Sequence, residues 1–301
     1  MLDLKRLRFL REVAERGTIS AAADALAYTP SAISQQITIL EEEMKTPLLE
    51  RQGRNVVLTP AGKVLVAHSQ DVFDAVERAT TAVSEAAGEV AGRVVVGTLQ
   101  SVMATLLPET IRTMSIDHPR VDLHMVELGH NDATRELRLG ALDVAVDQSY
   151  SHVTNRAHGG LTKHKVLEEP LYLVVPKGSP IKKLTDAADW PWVAPPLETC
   201  DCGRALRNIC RGAGFDPDVR FETDDFGVTL ELISSINAVS ILPALTLTRL
   251  SPSLRLIPIS GVKRRIVALT RPAGQHRPAV AAFITHLLRA AKELIPADTA
   301  A

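Results

Sequence analysis

Between residues 29 and 38 the chain places small hydroxyl and amide side chains at a spacing that suits contact with a polyanion. Thr29, Pro30, Ser31, Ser34, Gln35 and Thr38 fall on one arc of a predicted helix, and Ile33, Ile37, Leu40 and Met44 share the opposite face. Short side chains let a helix approach base edges closely. Hydroxyls bind phosphate, and a glutamine amide can pair bidentately with adenine. Arg51 and Arg54 follow on a predicted hairpin, where guanidinium groups would hold phosphate. Any one of these residues alone would equally suit a solvated helix face, so the reading rests on the set.

A second group suits an anion. Ser101, Asn131 and the run Thr199 to Cys202 each immediately precede a predicted helix, and helix N-termini offer free N–H groups. A carboxylate-bearing metabolite is the expected ligand; taken singly, Ser101 or Thr199 would also serve as a plain helix cap. Cys200, Cys202 and Cys210 lie within eleven residues. A thiolate at a helix N-terminus beside Arg204 would be activated, which makes a redox switch the alternative to simple packing of small thiols. The nine histidines show no metal-ligand pairing. No Ser/His/Asp constellation or phosphate-loop glycine pattern stands out either, so no metal, cofactor or enzymatic activity is expected.

Local signals define the elements that must position these groups. Leu7, Leu10, Val13 and Ala14 repeat at helical spacing over 4–16, and Gly17 suits the left-handed residue that ends a helix. Thr18 or Ser20 can cap an Ala-rich second helix over 20–26, and Thr29-Pro30 opens a third that runs to about Met44. After Pro47, two short runs flank Gly53 as a hairpin, and Thr59-Pro60 repeats the cap signal. From 61 to 89, Leu65, Val72, Ala79 and Ala86 recur every seven residues with Val76 and Val83 between them. That stripe has no evident partner in its own domain, so a second copy of the chain is expected to bury it. Strands near 93–98, 121–127 and 143–147 then alternate with helices near 104–116 and 131–139, a βαβαβ unit that predicts a parallel sheet. A second set follows, with strands near 171–175, 192–194, 219–223 and 238–242 and helices near 203–213 and 226–235. A strand at 265–269 and a last helix at 278–294 close the chain. Two lobes joined by two crossings would leave a cleft.

Length and composition agree with this plan. At 301 residues the chain exceeds one ordinary domain, and 46% hydrophobic with 23% charged residues is typical of a globular protein. No uninterrupted apolar run reaches the length of a membrane span, the N-terminus lacks a secretory pattern, and an odd cysteine count does not suit a secreted disulfide framework; a cytoplasmic location is expected. The net charge of −1 leaves no basic footprint for nucleic acid. DNA binding has to be read from placement, with Lys5, Arg6, Arg8 and Arg11 on the first helix and Glu41, Glu42 and Glu43 ending the third.

Ser20-Ala21-Ala22-Ala23, Leu26, residues 29–37, Leu40-Glu41, Pro47-Leu48-Leu49-Glu50-Arg51, Leu58-Thr59 and Ala61-Gly62 together resemble the signature of LysR-type transcription regulators. The resemblance continues more loosely through Val96-Gly97, Leu106-Leu107-Pro108, residues 118–121, Glu127, residues 142–145 and Ile241-Leu242-Pro243. It implies a multi-domain chain: a mainly α winged helix-turn-helix over 1–60, a linker and dimerisation helix over 61–90, and an α/β two-lobed effector domain over 91–301. That last part would be like type 2 periplasmic binding proteins, with lobe I about 91–163 and 270–301 and lobe II about 164–269. It also implies that Thr29, Pro30, Ser31, Ser34, Gln35, Thr38, Arg51 and Arg54 contact DNA. The effector would meet Thr98, Gln100, Ser101, His130, Asn131, Thr199 and Cys200. Implied partners are double-stranded promoter DNA, a small-molecule effector and further copies of the chain as dimers paired into tetramers, with RNA polymerase among those to consider and no membrane. Many relatives carry arginine where Gln35 stands and glycine where Lys45 stands. From a different class, residues 93–301 alone would also suit a solute-binding protein or an enzyme on the same two-lobed fold.

Overall fold

The computed structural model describes residues 2–53, 55–86, 90–151, 153, 158–248 and 250–294, and for residues 84, 85, 130 and 131 the backbone only. Helix α1 (Leu4–Arg16) starts where the Asp3 carboxylate accepts from the Lys5 and Arg6 amides and stops at Gly17, whose φ of 75° lets its N–H reach the Val13 carbonyl. Thr18 is the cap of α2 (Ile19–Leu26), and Thr29 caps α3 (Pro30–Met44) with Pro30 in its first turn. Phe9, Leu10, Val13, Ala22, Ala23, Ile33, Ile37, Leu40 and Leu48 form one small buried core between the three helices. Strands β1 (Leu49–Gln52) and β2 (Asn55–Leu58) pair antiparallel as the wing.

Thr59 accepts from the Gly62 amide and donates to the Pro47 carbonyl, opening α4 (Pro60–Ala86) against the base of the wing. The helix backbone runs so close to the Leu48 carbonyl that a side chain at Gly62 would collide with it. Expected to lack a partner in its own domain, α4 in fact packs part of its surface on its own chain. Leu65 and Val66 join the head core, Phe73 lies 4.9 Å from the Arg11 guanidinium, and Glu77 pairs with Arg271. Val76 and Val83 remain exposed.

Strand β3 (Gly92–Thr98), helix α5 (Gln100–Asp117), strand β4 (Val121–Glu127), helix α6 (His130–Leu139) and strand β5 (Val144–Tyr150) make the expected parallel βαβαβ unit. The complete sheet is mixed rather than parallel. Strands β6 (Thr162–Pro176) and β10 (Leu254–Thr270) pair antiparallel along most of their length, and β10 also pairs antiparallel with β5. The short runs expected at 171–175 and 265–269 are segments of these much longer strands, which carry the chain through both lobes. In chain order lie between them β7 (Pro191–Ala194), α7 (Asp201–Gly212), β8 (Asp218–Glu222), α8 (Phe226–Ile236) and β9 (Ser240–Pro243), and α9 (Pro278–Leu294) follows β10. The main sheet order is β4-β3-β5-β10-β6-β9, with β7-β8 as a separate parallel pair.

Two large cores result. One packs β3, β5 and β10 against α5 and α9 through Val94, Val96, Leu106, Met114, Ile266 and Phe283. The other joins the far half of β6 to β7 and α7 through Leu173, Val175, Trp192, Leu206 and Ile209. Met103 and Met125 pack against the first core as gap-fillers.

Candidate DNA-reading face and inter-lobe cleft

Helix α3 divides as its periodicity requires. Ile33, Ile37 and Leu40 are buried, whereas Thr29, Pro30, Ser31, Ser34, Gln35 and Thr38 are all exposed. Thr29 spends its hydroxyl on the Ala32 amide, and Thr38 donates back to the Ser34 carbonyl, which leaves the Gln35 amide and the Ser34 hydroxyl as the outward polar groups at the middle of the arc. The helix is held from behind. Arg6 donates to Glu43 at 2.5 Å and to Gln36 at 3.1 Å, and Glu41 accepts from the Leu48 and Leu49 amides, fixing the wing to the helix end. Arg51 is exposed on β1; Arg54 lies outside the described residues. Lys45 ends α3 at φ 53°, a left-handed conformation that glycine adopts without strain.

Between the lobes is a cavity of about 320 Å³ bordered by the starts of four helices: α5, α6, α7 and α8. The first three begin at Leu99, Gly129 and Cys200 without a side-chain cap, and α8 is capped by Asp225, whose carboxylate accepts from the Val228 amide. Gln100 links the two lobes, its Oε1 accepting the Phe226 N–H at 3.3 Å. The floor is Arg264, only 1% exposed, which pairs with Glu169 at 2.5 Å and donates to Gln148 and Ser101 at 2.9 and 3.1 Å. Glu169 also accepts the Leu245 N–H at 2.6 Å, so both of its oxygens are engaged. Beside them burial pushes the Tyr150 hydroxyl up to about 12. Glu127, Asp224 and Asp225 complete the lining and make its rim acidic.

Of the expected effector contacts, the structure brings Gln100, Ser101 and Cys200 to this cavity. Ser101 is not the residue before a helix: α5 starts one residue earlier, at Gln100, and the buried Ser101 hydroxyl accepts from Arg264. Thr199 also differs. Cys200 is the residue that precedes α7, and Thr199 faces a separate surface depression with Glu198, Arg207 and Arg220. Thr98 is wholly buried at the end of β3 and does not line the cavity. Gly129 lines it, whereas the side chains of His130 and Asn131 lie outside the described part of the structure.

Arg264, Gln148 and Glu169 were not anticipated. A signal for Arg264 exists: Val262, Arg264, Ile266 and Ala268 alternate on the buried face of one strand, so a guanidinium occupies a core position and demands a buried partner. The redox alternative is not better supported than effector binding. Cys200 and Cys202 are joined as a disulfide, Arg204 turns to Asp201 and the Glu198 carbonyl, and burial pushes the Cys210 thiol up to about 12. No helix among the described residues is long and apolar enough to cross a membrane.

Comparison with known proteins adds to this geometry. The pattern described as "Bacterial regulatory helix-turn-helix protein, lysR family" matches residues 4–63, and that described as "LysR substrate binding domain" matches residues 87–292. The transcriptional dual regulator GltC of Bacillus subtilis is 31% identical over 286 residues, covering 90% of this chain and 91% of that protein. A full-length OxyR variant from Pseudomonas aeruginosa has the same fold with a TM-score of 0.64 at 20% identity, covering 95% of each chain. The LysR family transcriptional regulator CbnR superposes with a TM-score of 0.55 at 23% identity, covering 95% of this chain and all of that one.

Proposed function

Since the chain belongs to the LysR family and is a transcription regulator with an effector-binding domain, we propose that it reads promoter DNA with the exposed arc of α3 and answers to a carboxylate-bearing metabolite held between the lobes. The head is residues 1–60, the linker 61–90 and the sensor 91–301. Gln35 reads a base edge. Ser31, Ser34 and Thr38 contact the backbone and neighbouring bases, Thr29 and Pro30 set the entry of the helix into the major groove, and the wing arginines Arg51 and Arg54 hold phosphate. The exposed Val76 and Val83 of α4 are the surface on which a second copy docks, so that a dimer meets two half-sites.

The observation that carries the sensing role is the convergence of three uncapped helix starts on one cleft above Arg264. The N–H groups at such helix starts, aided by the helix dipole, favour a carboxylate. The acidic rim of Glu127, Asp224 and Asp225 disfavours a purely anionic ligand and suits one that also carries an amino group, as an amino acid does.

Fluorescence anisotropy with duplex from the promoter region of its own gene tests the DNA contacts. Gln35→Ala is expected to lose about 1–3 kcal/mol of specific affinity without changing the salt slope, whereas Arg51→Ala lowers that slope by about one for any sequence. Equal losses on specific and random duplex for Gln35→Ala would refute base reading. Thermal denaturation of the full chain with zwitterionic and plain carboxylate metabolites tests the cleft, since a ligand of the folded state raises the melting temperature by mass action. A preference for plain monocarboxylates over zwitterions would refute the role given to the rim.

A further inference from the structure

A second cavity, of about 300 Å³, lies where the reading head, the linker helix and lobe I meet. Arg8 and Arg11 enter it from α1, Glu77 from α4, Arg138 from the last turn of α6, and Arg271 and Arg277 from the segment between β10 and α9. With Asp143 this makes five guanidinium groups against two carboxylates.

The carboxylates are already matched. Glu77 takes Arg271 through two hydrogen bonds of 2.8 and 3.0 Å, and Asp143 pairs with Arg277. Arg8, Arg11 and Arg138 therefore have no carboxylate within ion-pair distance among the described residues, and Arg138 donates instead to the Gly159 carbonyl at 3.2 Å. Arg11 is the informative one. It is half-buried against the Phe73 ring, and the same Nη2 donates to neutral acceptors, the Gln70 amide oxygen at 2.9 Å and the Arg138 carbonyl at 2.7 Å. Other acids nearby are engaged or face water: Glu12 by Arg16, Asp74 by the Gln70 amide, and Glu15 exposed. Burial and then the charge of Arg271 hold the Arg11 pKa below its ordinary range. A buried positive charge facing another is costly unless an anion joins them.

We propose that this junction is a binding site for a small dianion, of phosphate or dicarboxylate type, distinct from the inter-lobe cleft. Arg8, Arg11 and Arg138 hold the anion; Phe73 and Leu139 close the apolar wall behind it. Because the three arginines come from the head and from lobe I, with the linker helix between, an occupant ties the reading head to the sensor. Its binding is thereby linked to the angle at which the head meets DNA.

The test uses the full chain at constant ionic strength, with inorganic phosphate, succinate and chloride compared by isothermal calorimetry. Saturable binding of phosphate or succinate at one site per chain, beyond any effect of chloride, is expected, and which of the two binds identifies the ligand type. Arg8→Gln with Arg138→Gln changes two exposed side chains and is expected to weaken that binding at least tenfold, while the melting temperature in chloride stays that of the unaltered protein. Absence of binding beyond chloride, or equal binding by the double variant, would overturn the proposal; the latter would place the anion elsewhere, the cleft included.

Discussion

The floor of the inter-lobe cleft makes a sharp prediction about what holds the sensor together. Arg264 and Glu169 are each 1% exposed, so removing the charge of one leaves the other buried without compensation. Glu169→Gln preserves the shape and an acceptor for the Leu245 amide, but turns its NH2 toward Arg264, so the charge and the Arg264 hydrogen bond are lost together. Breaking a buried pair in this way costs about 3–5 kcal/mol, a large part of the roughly 5–15 kcal/mol that stabilises a domain. With a urea slope of about 3 kcal/mol/M, the unfolding midpoint of the sensor falls by roughly 1–1.7 M. Trp192 is fully buried in the lobe II core, its indole N–H on the Ala187 carbonyl, so tryptophan fluorescence during urea titration of the full chain follows this unit. Replacing both partners together, Arg264→Met with Glu169→Leu, is expected to recover most of the loss because no charge remains to be buried. A midpoint shift below about 0.3 M for Glu169→Gln, corresponding to less than about 1 kcal/mol at the same slope, would refute the account of Arg264 as a charge that depends on Glu169.

Two further predictions concern single residues. Lys45→Gly is expected to stabilise the head by about 0.5–1 kcal/mol, because relief of a left-handed non-glycine residue, about 1–2 kcal/mol, exceeds the added entropy of an unfolded glycine; a lower melting temperature would contradict it. Glu168 is held down to about 2 by hydrogen bonds from Arg265 and then Lys263, below its ordinary 4.5. Its contribution to stability is therefore complete above about pH 4.5 and is lost as pH falls through about 2. Glu168→Gln is expected to flatten the fall in melting temperature over that window, and an unchanged acid profile would rule the pairing out.

The head was legible because its signals are local. Caps at Thr18, Thr29 and Thr59, the left-handed Gly17 and the 3.6-residue spacing of Ile33, Ile37 and Leu40 all act within one turn of the residues they explain. In the sensor the order of elements was equally plain, but strand lengths and direction were not. Lys163 and Lys165 give the start of β6 a charged face that reads as loop, although its period of two is that of a strand. The cleft depends on longer-range facts. That Arg264 meets Glu169, Gln148 and Ser101 follows from the register of β10 between β5 and β6, which no short window contains. The acidic rim escaped for the same reason, since Glu127 and Asp224 stand almost a hundred residues apart in the chain and meet only across the lobes.

Strand β10 has a mechanical consequence. It carries Arg264 at the cleft floor and delivers Arg271, just past its end, to Glu77 on the linker helix. Seven residue steps along the strand separate the backbones of Arg264 and Arg271, about 23 Å, clamped through most of that span by ladders on both sides. A strand so held cannot slide past its neighbours: it moves with the whole sheet as one body, so the cleft floor at Arg264 and the Arg271–Glu77 contact on α4 keep a fixed separation.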